Sequence, residues 1–91
     1  MKVNAYVKIH GKVQGVWFRA STKQKAEQLG LTGWVRNTEN GCVEAVFEGE
    51  EKQIKQILNW CHMGPPLSKV EKVETKNQTV TNGFEGFKIK Y

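Results

Sequence analysis

Apolar residues in this chain are spaced first as in a strand and then as in a helix, and the second half repeats this change. The opening segment has apolar residues at every second position, which predicts a strand with one buried face. They are Val3, Ala5, Val7 and Ile9. The next set predicts a helix that starts close to Arg19 and ends at Gly30, a residue suited to a left-handed helix end. Its members are Phe18, Thr22, Ala26 and Leu29.

A hairpin and a second helix follow. Residues 31–50 predict the hairpin, because Asn40 and Gly41 form the strongest short turn signal in the chain. The inward residues of its second strand are Val43, Ala45 and Phe47. Residues 50–63 predict a helix, which the glycine and two prolines at 64–66 end. Its apolar positions are Ile54, Ile57, Leu58 and Cys61.

The last segments predict two more strands. Residues 68–80 are polar, and Val70 and Val73 have opposite parity, so this strand needs a bulge or an exposed face. Residues 87–91, FKIKY, predict a short final strand with one apolar side. That side consists of Phe87, Ile89 and Tyr91.

The resulting order, β-α-β-β-α-β with a short final strand, is that of the ferredoxin-like α+β fold. In this fold an antiparallel sheet carries both helices on one face. A chain of 91 residues has no room for a second core, so we expect residues 1–91 to form a single domain.

The composition is that of an ordinary globular protein, with 38% hydrophobic and 25% charged residues. No apolar run approaches the roughly 20 residues that cross a bilayer, and the first residues lack the apolar stretch of a secretory signal. We therefore expect a cytoplasmic protein with no membrane partner. Cys42 and Cys61 are too few for a zinc site, and in the cytoplasm they favour two free thiols over a disulfide.

The net charge of +5 favours anionic partners in general. Nucleic-acid-binding proteins usually collect their lysines in runs or stripes. Here the lysines are spread along the chain, which favours a generally basic surface over a nucleic-acid-binding face.

The segment between the first strand and the first helix combines glycines, a helix N-terminus and a cation. Gly11 and Gly15 can take positive φ and let backbone amides converge on a ligand. Arg19 adds positive charge where the helix already presents free N–H groups, and an anion would stabilise this arrangement. The spacing matches neither a Walker A loop nor a dinucleotide-binding motif. It predicts a pocket for a small phosphate group without a metal ion.

These residues also have an ordinary structural interpretation. Arg19 would then be a surface residue and the glycines would make a turn, with Val13, Val16, Trp17 and Phe18 as packing residues. Asn37 would bond its own backbone at the end of a strand. Beside Arg19, its amide would instead hold one water molecule in a fixed direction. No Cys, His or Asp is placed with Arg19 as nucleophile or base, so the pattern suits attack on an already activated phosphate.

Two long segments resemble the signature motifs of the acylphosphatases. They are Ile9 to Arg19, IHGKVQGVWFR, and Gly33 to Gly49, GWVRNTENGCVEAVFEG. The small size, the element order and the ending FKIKY are also similar to that family, so the resemblance covers essentially the whole chain. It implies hydrolysis of a small-molecule acyl phosphate to a carboxylate and inorganic phosphate. It also implies a reaction that uses no cofactor and no metal. We further expect a monomer without a nucleic-acid partner.

The resemblance further implies roles for individual residues. Arg19 and the backbone amides of its loop hold the phosphoryl oxygens, and Asn37 orients the attacking water. The loop residues are Gln14, Gly15, Val16, Trp17, Phe18 and Arg19. We hypothesise that the substrate's own phosphate takes the proton of the water, which would explain the missing base.

A small basic module that binds RNA or another anion without catalysis is the alternative. RNA-binding sheets of this topology display aromatic residues on their central strands, whereas the polar side of the first strand offers chiefly Tyr6. A catalytically silent acylphosphatase-like module is a nearer alternative. The tryptophans are expected to pack rather than to contact substrate, although one of them lies inside the loop. They are Trp17, Trp34 and Trp60.

Overall fold

A five-stranded sheet and two helices make up the computed structural model, which describes residues 1–91. The elements are β1 (Lys2–Lys12), α1 (Phe18–Gln28), β2 (Thr32–Asn37), β3 (Val43–Glu50), α2 (Glu51–Met63), β4 (Lys69–Gln78) and β5 (Phe87–Ile89). The strand order is β4-β1-β3-β2-β5. The four longer strands pair antiparallel, and β5 joins the far edge parallel to β2. The predicted ferredoxin-like α+β fold is confirmed, and the fifth strand makes its sheet mixed.

One face of the sheet and both helices enclose the apolar core. α1 packs on β2, β3 and β5, and α2 packs on β1, β3 and β4. The predicted inward residues of β1 and β3 are fully buried, except for the half-buried Val3. The fully buried ones are Ala5, Val7, Ile9, Val43, Ala45 and Phe47. The helices add Ile54, Ile57 and Cys61 from α2, and Phe18 and Ala26 from α1. Neither helix has the length and apolar character that a membrane crossing needs.

The pairing of β1 with the polar strand β4 contains a β-bulge. The register shifts after His10, so that Gly11 pairs with Val70 while Val73 keeps its pairing with β1. The shift lets both valines pack against the core despite their opposite parity. Gly11 has φ 128, and a Cβ there would lie 2.1 Å from the carbonyl oxygen of Lys69. The prediction that Gly11 shapes the ligand loop is therefore wrong, because this glycine lies inside β1 and serves the bulge.

The predicted β2–β3 hairpin is confirmed, with a loop of residues 38–42 in place of a two-residue turn. Asn37 is the last residue of β2 and pairs with Val43. Thr38 closes the loop, since its N–H donates to the Cys42 carbonyl at 2.9 Å and its Oγ1 accepts from the Cys42 N–H at 3.0 Å. These bonds fix the strand end that carries Asn37.

One buried carboxylate anchors the long connection from β4 to β5. Glu48 accepts hydrogen bonds from the N–H groups of Thr81 and Asn82 at 2.9 and 2.7 Å. The Thr81 hydroxyl and the Asn4 side-chain amide each donate to it at 3.1 Å. Burial raises the pKa of Glu48, but these donors outweigh burial and hold the pKa below its usual value. The connection is thereby tied to β3 before the chain reaches β5.

The opposite face of the sheet, called the open face below, is not covered by a helix and carries paired charges. The Tyr6 hydroxyl donates to Glu44 at 2.5 Å, and Arg36 forms an ion pair with the same carboxylate. Burial and the bond to Glu44 raise the pKa of Tyr6 to about 12. Burial also raises the pKa of Glu44, but the bonds from Tyr6 and Arg36 outweigh it and lower that pKa. On the β1–β4 side, His10 contacts Glu74 at 2.7 Å. Carboxylates thus partner several of the polar groups on this face.

Both cysteines are buried and free, as the sequence predicts. Cys42 lies in the hairpin loop, and Cys61 lies on the core side of α2. Burial raises the pKa of the Cys61 thiol to about 12, so this side chain behaves as a small core residue.

Candidate active site

Arg19 and Asn37, which come from different segments, line one pocket of about 170 Å³. The loop after β1, the start of α1, the end of β2 and the last residues of the chain meet there. Most of the lining is apolar. Other lining residues include Val13, Gly15, Trp17, Phe18, Ile89 and Tyr91. The structure thus brings together the cation and the side-chain amide that the sequence singles out.

The loop before α1 alternates between buried and exposed residues. Val13 and Val16 are buried, as is Phe18 at the start of the helix, so the structural interpretation of these three residues is confirmed. Gly15 and Trp17 are exposed and have φ of 74 and 66. The buried side chains hold the loop, and the left-handed residues between them turn its backbone at the edge of the pocket.

The three tryptophans differ in their surroundings. Trp60 packs on Phe18 with ring centres 5.5 Å apart, as expected of a packing residue. Trp34 is half-buried, and the Lys90 amine lies 4.6 Å from its ring centre. Trp17 is 76% exposed and lines the pocket, so the prediction that it packs is wrong. Its neighbours on both sides in the chain are buried, which turns this side chain outward.

α1 begins at the pocket with an uncapped N-terminus. Trp17 holds the capping position without a side-chain hydrogen bond, and no acidic residue lies in the first turn. The Ser21 N–H donates to the Trp17 carbonyl at 3.0 Å, which is the first bond of the helix. The N–H groups of Phe18, Arg19 and Ala20 precede it and have no partner within the helix. Together with the positive end of the helix dipole, they favour an anion.

Arg19 has no acidic partner. The five ion pairs of the chain all form elsewhere, including the one between Arg36 and Glu44. The guanidinium carbon of Arg19 lies 5.2 Å from the ring centre of Tyr91, which is a cation–π contact. The charge of Arg19 therefore adds to the positive helix end without compensation.

Asn37 presents a buried acceptor without a donor. Its Oδ1 has no hydrogen-bond partner, a condition that costs about 1–3 kcal/mol for a buried polar group. The side chain of Thr38, rather than that of Asn37, makes the bonds of the turn. The expected alternative, in which Asn37 bonds its own backbone, is therefore wrong. The amide of Asn37 remains available to the pocket that it lines.

The Gln14 side chain is used as a bridge between two loops. Its amide donates to the carbonyls of Thr38 and Cys42, both at 2.8 Å. The side chain is therefore occupied, and only the backbone amide of Gln14 is left for the predicted phosphate contact. The bridge sets the position of the Arg19 loop relative to the strand end of Asn37.

The predicted site lacks four residues that line the pocket, Val13, Ala20, Ile89 and Tyr91. Ile89 and Tyr91 come from the last segment of the chain. Both were placed on the inward side of the final strand, but not at the site. Val35 pairs with Ile89, and the Lys90 N–H continues this pairing by donating to the Val35 carbonyl at 2.8 Å. Asn37 and Tyr91 each lie two residues beyond the Val35–Ile89 pair, and because the strands are parallel they lie level with each other. The parallel pairing of β5 with β2, which only the fold sets, brings Tyr91 to the site.

The pocket offers positive charge, backbone donors and one side-chain amide, and no Asp, Glu or His side chain lines it. No group of three or more His, Cys, Asp or Glu side chains is arranged to hold a metal ion. Such a pocket can bind a tetrahedral anion and orient a neutral nucleophile beside it. It does not contain a side chain suited to covalent attack.

Fold and pocket together define a class, the small ferredoxin-like proteins with a pocket that contains an arginine at a helix N-terminus. Within this class, the sequence model of one family, described as Acylphosphatase, matches residues 5–89. The chain belongs to the acylphosphatase family.

Similar proteins cover almost the whole chain. An acylphosphatase of Pelotomaculum thermopropionicum is 44% identical over 90 residues, with 99% of this chain and 98% of the relative covered. An acylphosphatase of Rubrobacter xylanophilus is 48% identical over 89 residues, with 98% and 79% covered. The structure of an acylphosphatase from Coxiella burnetii superposes with a TM-score of 0.94 at 39% identity, covering 98% of this chain and 93% of that one. The family resemblance of the two sequence motifs is confirmed.

Proposed function

We propose that this acylphosphatase-family protein is an enzyme that hydrolyses acyl phosphates in the pocket of Arg19 and Asn37, releasing a carboxylate and inorganic phosphate. One observation carries the proposal. The pocket joins an arginine without an acidic partner to a buried amide oxygen without a donor. The arginine can bind an anionic phosphate, and the amide oxygen can accept a hydrogen bond from water. Phosphate and water are the two reactants of a phosphate hydrolysis.

Arg19 binds the phosphoryl group. Its planar guanidinium can donate two parallel hydrogen bonds to phosphate oxygens, which a lysine cannot match. The backbone amides from Gln14 to Arg19 supply further donors, and those at the start of α1 have no helical partner. Charge that builds on the phosphoryl oxygens during transfer is stabilised by donors already in place.

Asn37 orients the attacking water. Its Oδ1 accepts a hydrogen bond from the water, which satisfies the buried acceptor and turns a lone pair of the water toward phosphorus. The oxygen–phosphorus bond to water forms as the bond to the acyl oxygen breaks, and the carboxylate leaves with the electron pair. The proton of the water passes to a phosphoryl oxygen of the substrate.

The substrate supplies the reactivity that the pocket lacks. A carboxylate is a good leaving group, so its departure needs no strong general acid. No Asp, Glu or His side chain lines the pocket to act as a base, which agrees with proton transfer to the substrate itself. The role of the protein is then positioning and charge stabilisation, as in other phosphoryl transfers.

The alternative of an RNA-binding module is disfavoured by the open face of the sheet. The hydroxyl of Tyr6 is engaged by Glu44, and Arg36 is paired with the same carboxylate. Glu74 lies on the same side beside His10. Carboxylates at these positions would repel a phosphate backbone.

The finer aspects of this assignment are part of the proposal. Residues 1–91 act as one domain, because all the pocket residues share one sheet and one core. The protein acts as a monomer, since Arg19, Asn37 and the loop amides all come from one chain. It acts in the cytoplasm, where Cys42 and Cys61 stay reduced.

The test is hydrolysis of benzoyl phosphate in the presence of a chelator, with inorganic phosphate as the binding probe. We expect Arg19→Ala to lower kcat/KM by about 10³–10⁵-fold and to weaken phosphate binding. Arg19→Lys should fail similarly, because it loses the planar fork. Asn37→Ala should lower turnover by about 10²–10³-fold while phosphate binding is kept.

Arg36→Ala is the matched control, because it removes the other arginine of the chain from the open face of the sheet. We expect it to stay within about threefold of the wild type, as for a surface charge outside the site. A folded wild-type protein that does not release benzoate would refute the proposed activity. Equal loss of turnover and of phosphate binding in the Arg19 and Asn37 variants would refute the separate roles.

A further inference from the structure

Trp17 combines two unfavourable features at the edge of the pocket. Its side chain is 76% exposed, although tryptophan is usually well covered. Its backbone has φ 66, a left-handed conformation that strains a bulky residue and that glycine would adopt freely. Such strain tends to persist at sites where a ligand is held. Neither feature helps the fold, since buried residues on both sides already anchor the loop.

The side chain of Trp17 lies at an apolar end of the pocket, away from the groups proposed to bind phosphate. Arg19, Asn37 and the backbone donors account for the polar end. The remaining lining includes Val13, Ile89 and Tyr91, and no carboxylate or lysine. Tyr91 is itself 100% exposed, so a second aromatic ring stands uncovered at the same pocket. Within this pocket, the lining at this end offers an apolar surface to an aromatic acyl group and no charged side chain to an ionised one.

We propose that Trp17, with Tyr91, forms the subsite for the acyl group and makes the enzyme favour aromatic acyl phosphates over acetyl phosphate. The inference rests on the proposed acyl phosphate hydrolysis. The ring of the acyl group packs against the indole, while the phosphate is held by Arg19. The contact is made equally before and during bond cleavage, so it lowers KM without changing kcat.

The test compares benzoyl phosphate with acetyl phosphate in the wild type and in Trp17→Gly, which removes the indole and suits the left-handed backbone. The readout is the ratio of the two kcat/KM values. Damage to the loop amides would lower kcat/KM for both substrates by the same factor, so it would not change the ratio. The two substrates differ in intrinsic reactivity, but this difference is the same in the wild type and in the variant. We expect the ratio to fall about 3- to 10-fold, mainly through a higher KM for benzoyl phosphate. Trp17→Phe should recover most of it.

Trp34→Ala is the control, because it removes a tryptophan that does not line this pocket. Its ratio should equal that of the wild type. A wild type that hydrolyses both substrates, together with an unchanged ratio in Trp17→Gly, would overturn the subsite and leave the proposed activity intact. A fall in kcat shared by both substrates, with an unchanged ratio, would assign Trp17 to loop positioning and also overturn it. A wild type that hydrolyses neither substrate would instead refute the proposed function.

Discussion

Gln14 directly links the two loops that hold the candidate site, and Gln14→Ala removes this link. The side-chain amide makes two hydrogen bonds, to the carbonyls of Thr38 and Cys42, both at 2.8 Å. Each such bond contributes about 0.5–1.5 kcal/mol net, so the pair contributes about 1–3 kcal/mol to the free energy of unfolding. The bonds are partly buried, so water can replace the lost amide in part. A loss of about 2 kcal/mol corresponds to about a 30-fold change in the folding equilibrium.

Urea unfolding measures this loss. With an m-value of about 1–3 kcal/mol per molar for a small protein, the midpoint should fall by about 1 M. The control is Gln24→Ala, at an exposed position of α1 outside the bridge, where alanine has the higher helix propensity. Its midpoint should be unchanged or slightly higher. If Gln14→Ala unfolded at the same urea concentration as the wild type, the bridge would contribute nothing and our account of it would be refuted.

The same variant should lose activity while it is still folded. The bridge positions the loop of Arg19 relative to Asn37, and a displacement of about 1 Å at a reacting centre can cost about 10²-fold in rate. We expect kcat/KM for benzoyl phosphate to fall about 10- to 100-fold at a temperature where circular dichroism shows a native fold. Full activity would show that the two loops keep their places without the bridge.

Two further predictions concern the fold. Glu48→Gln should destabilise the protein by about 2 kcal/mol at neutral pH, since hydrogen bonds to a charged group contribute about 1.5–3 kcal/mol. The pKa of Glu48 is lowered in the folded state, so the carboxylate stabilises the protein above the ordinary glutamate pKa and this stabilisation is lost as the pH falls. In urea unfolding, the difference in stability between wild type and variant should therefore be smaller at about pH 3 than at about pH 7. Gly11→Ala should cost more than about 2 kcal/mol, because its Cβ would lie 2.1 Å from the Lys69 carbonyl oxygen. Gly41→Ala, at φ 90 with no atom within 4 Å, should cost only about 1 kcal/mol, so equal melting temperatures for the two glycine variants would contradict the steric argument.

Features that depend on spacing within one element could be predicted from the sequence. The inward faces of β1 and β3 and the apolar stripe of α2 follow from periods that burial imposes on any strand or helix. Arg19 and Asn37 could be singled out because each is a polar residue at the end of an element. Their presence in one pocket required the fold.

Features that depend on the alignment of distant segments could not be predicted in this way. The parallel pairing of β5 with β2 brings Tyr91 level with Asn37, and no local pattern encodes that register. The bulge that uses Gly11 depends on the position of β4 beside β1. From the sequence Trp17 is expected to pack, whereas the buried residues on either side of it decide its exposure.

The central place of β1 also has a consequence for how the chain reaches this structure. β1 is synthesised first, but its partners β3 and β4 follow much later, so that Asn4 pairs with both Glu48 and Gln78. Pairings between such distant residues make folding slow compared with that of helical proteins. During synthesis β1 therefore remains unpaired, with its apolar face exposed, until β3 and β4 have been made. The lysines of β1 supply charge that discourages its aggregation in that interval. They are Lys2, Lys8 and Lys12.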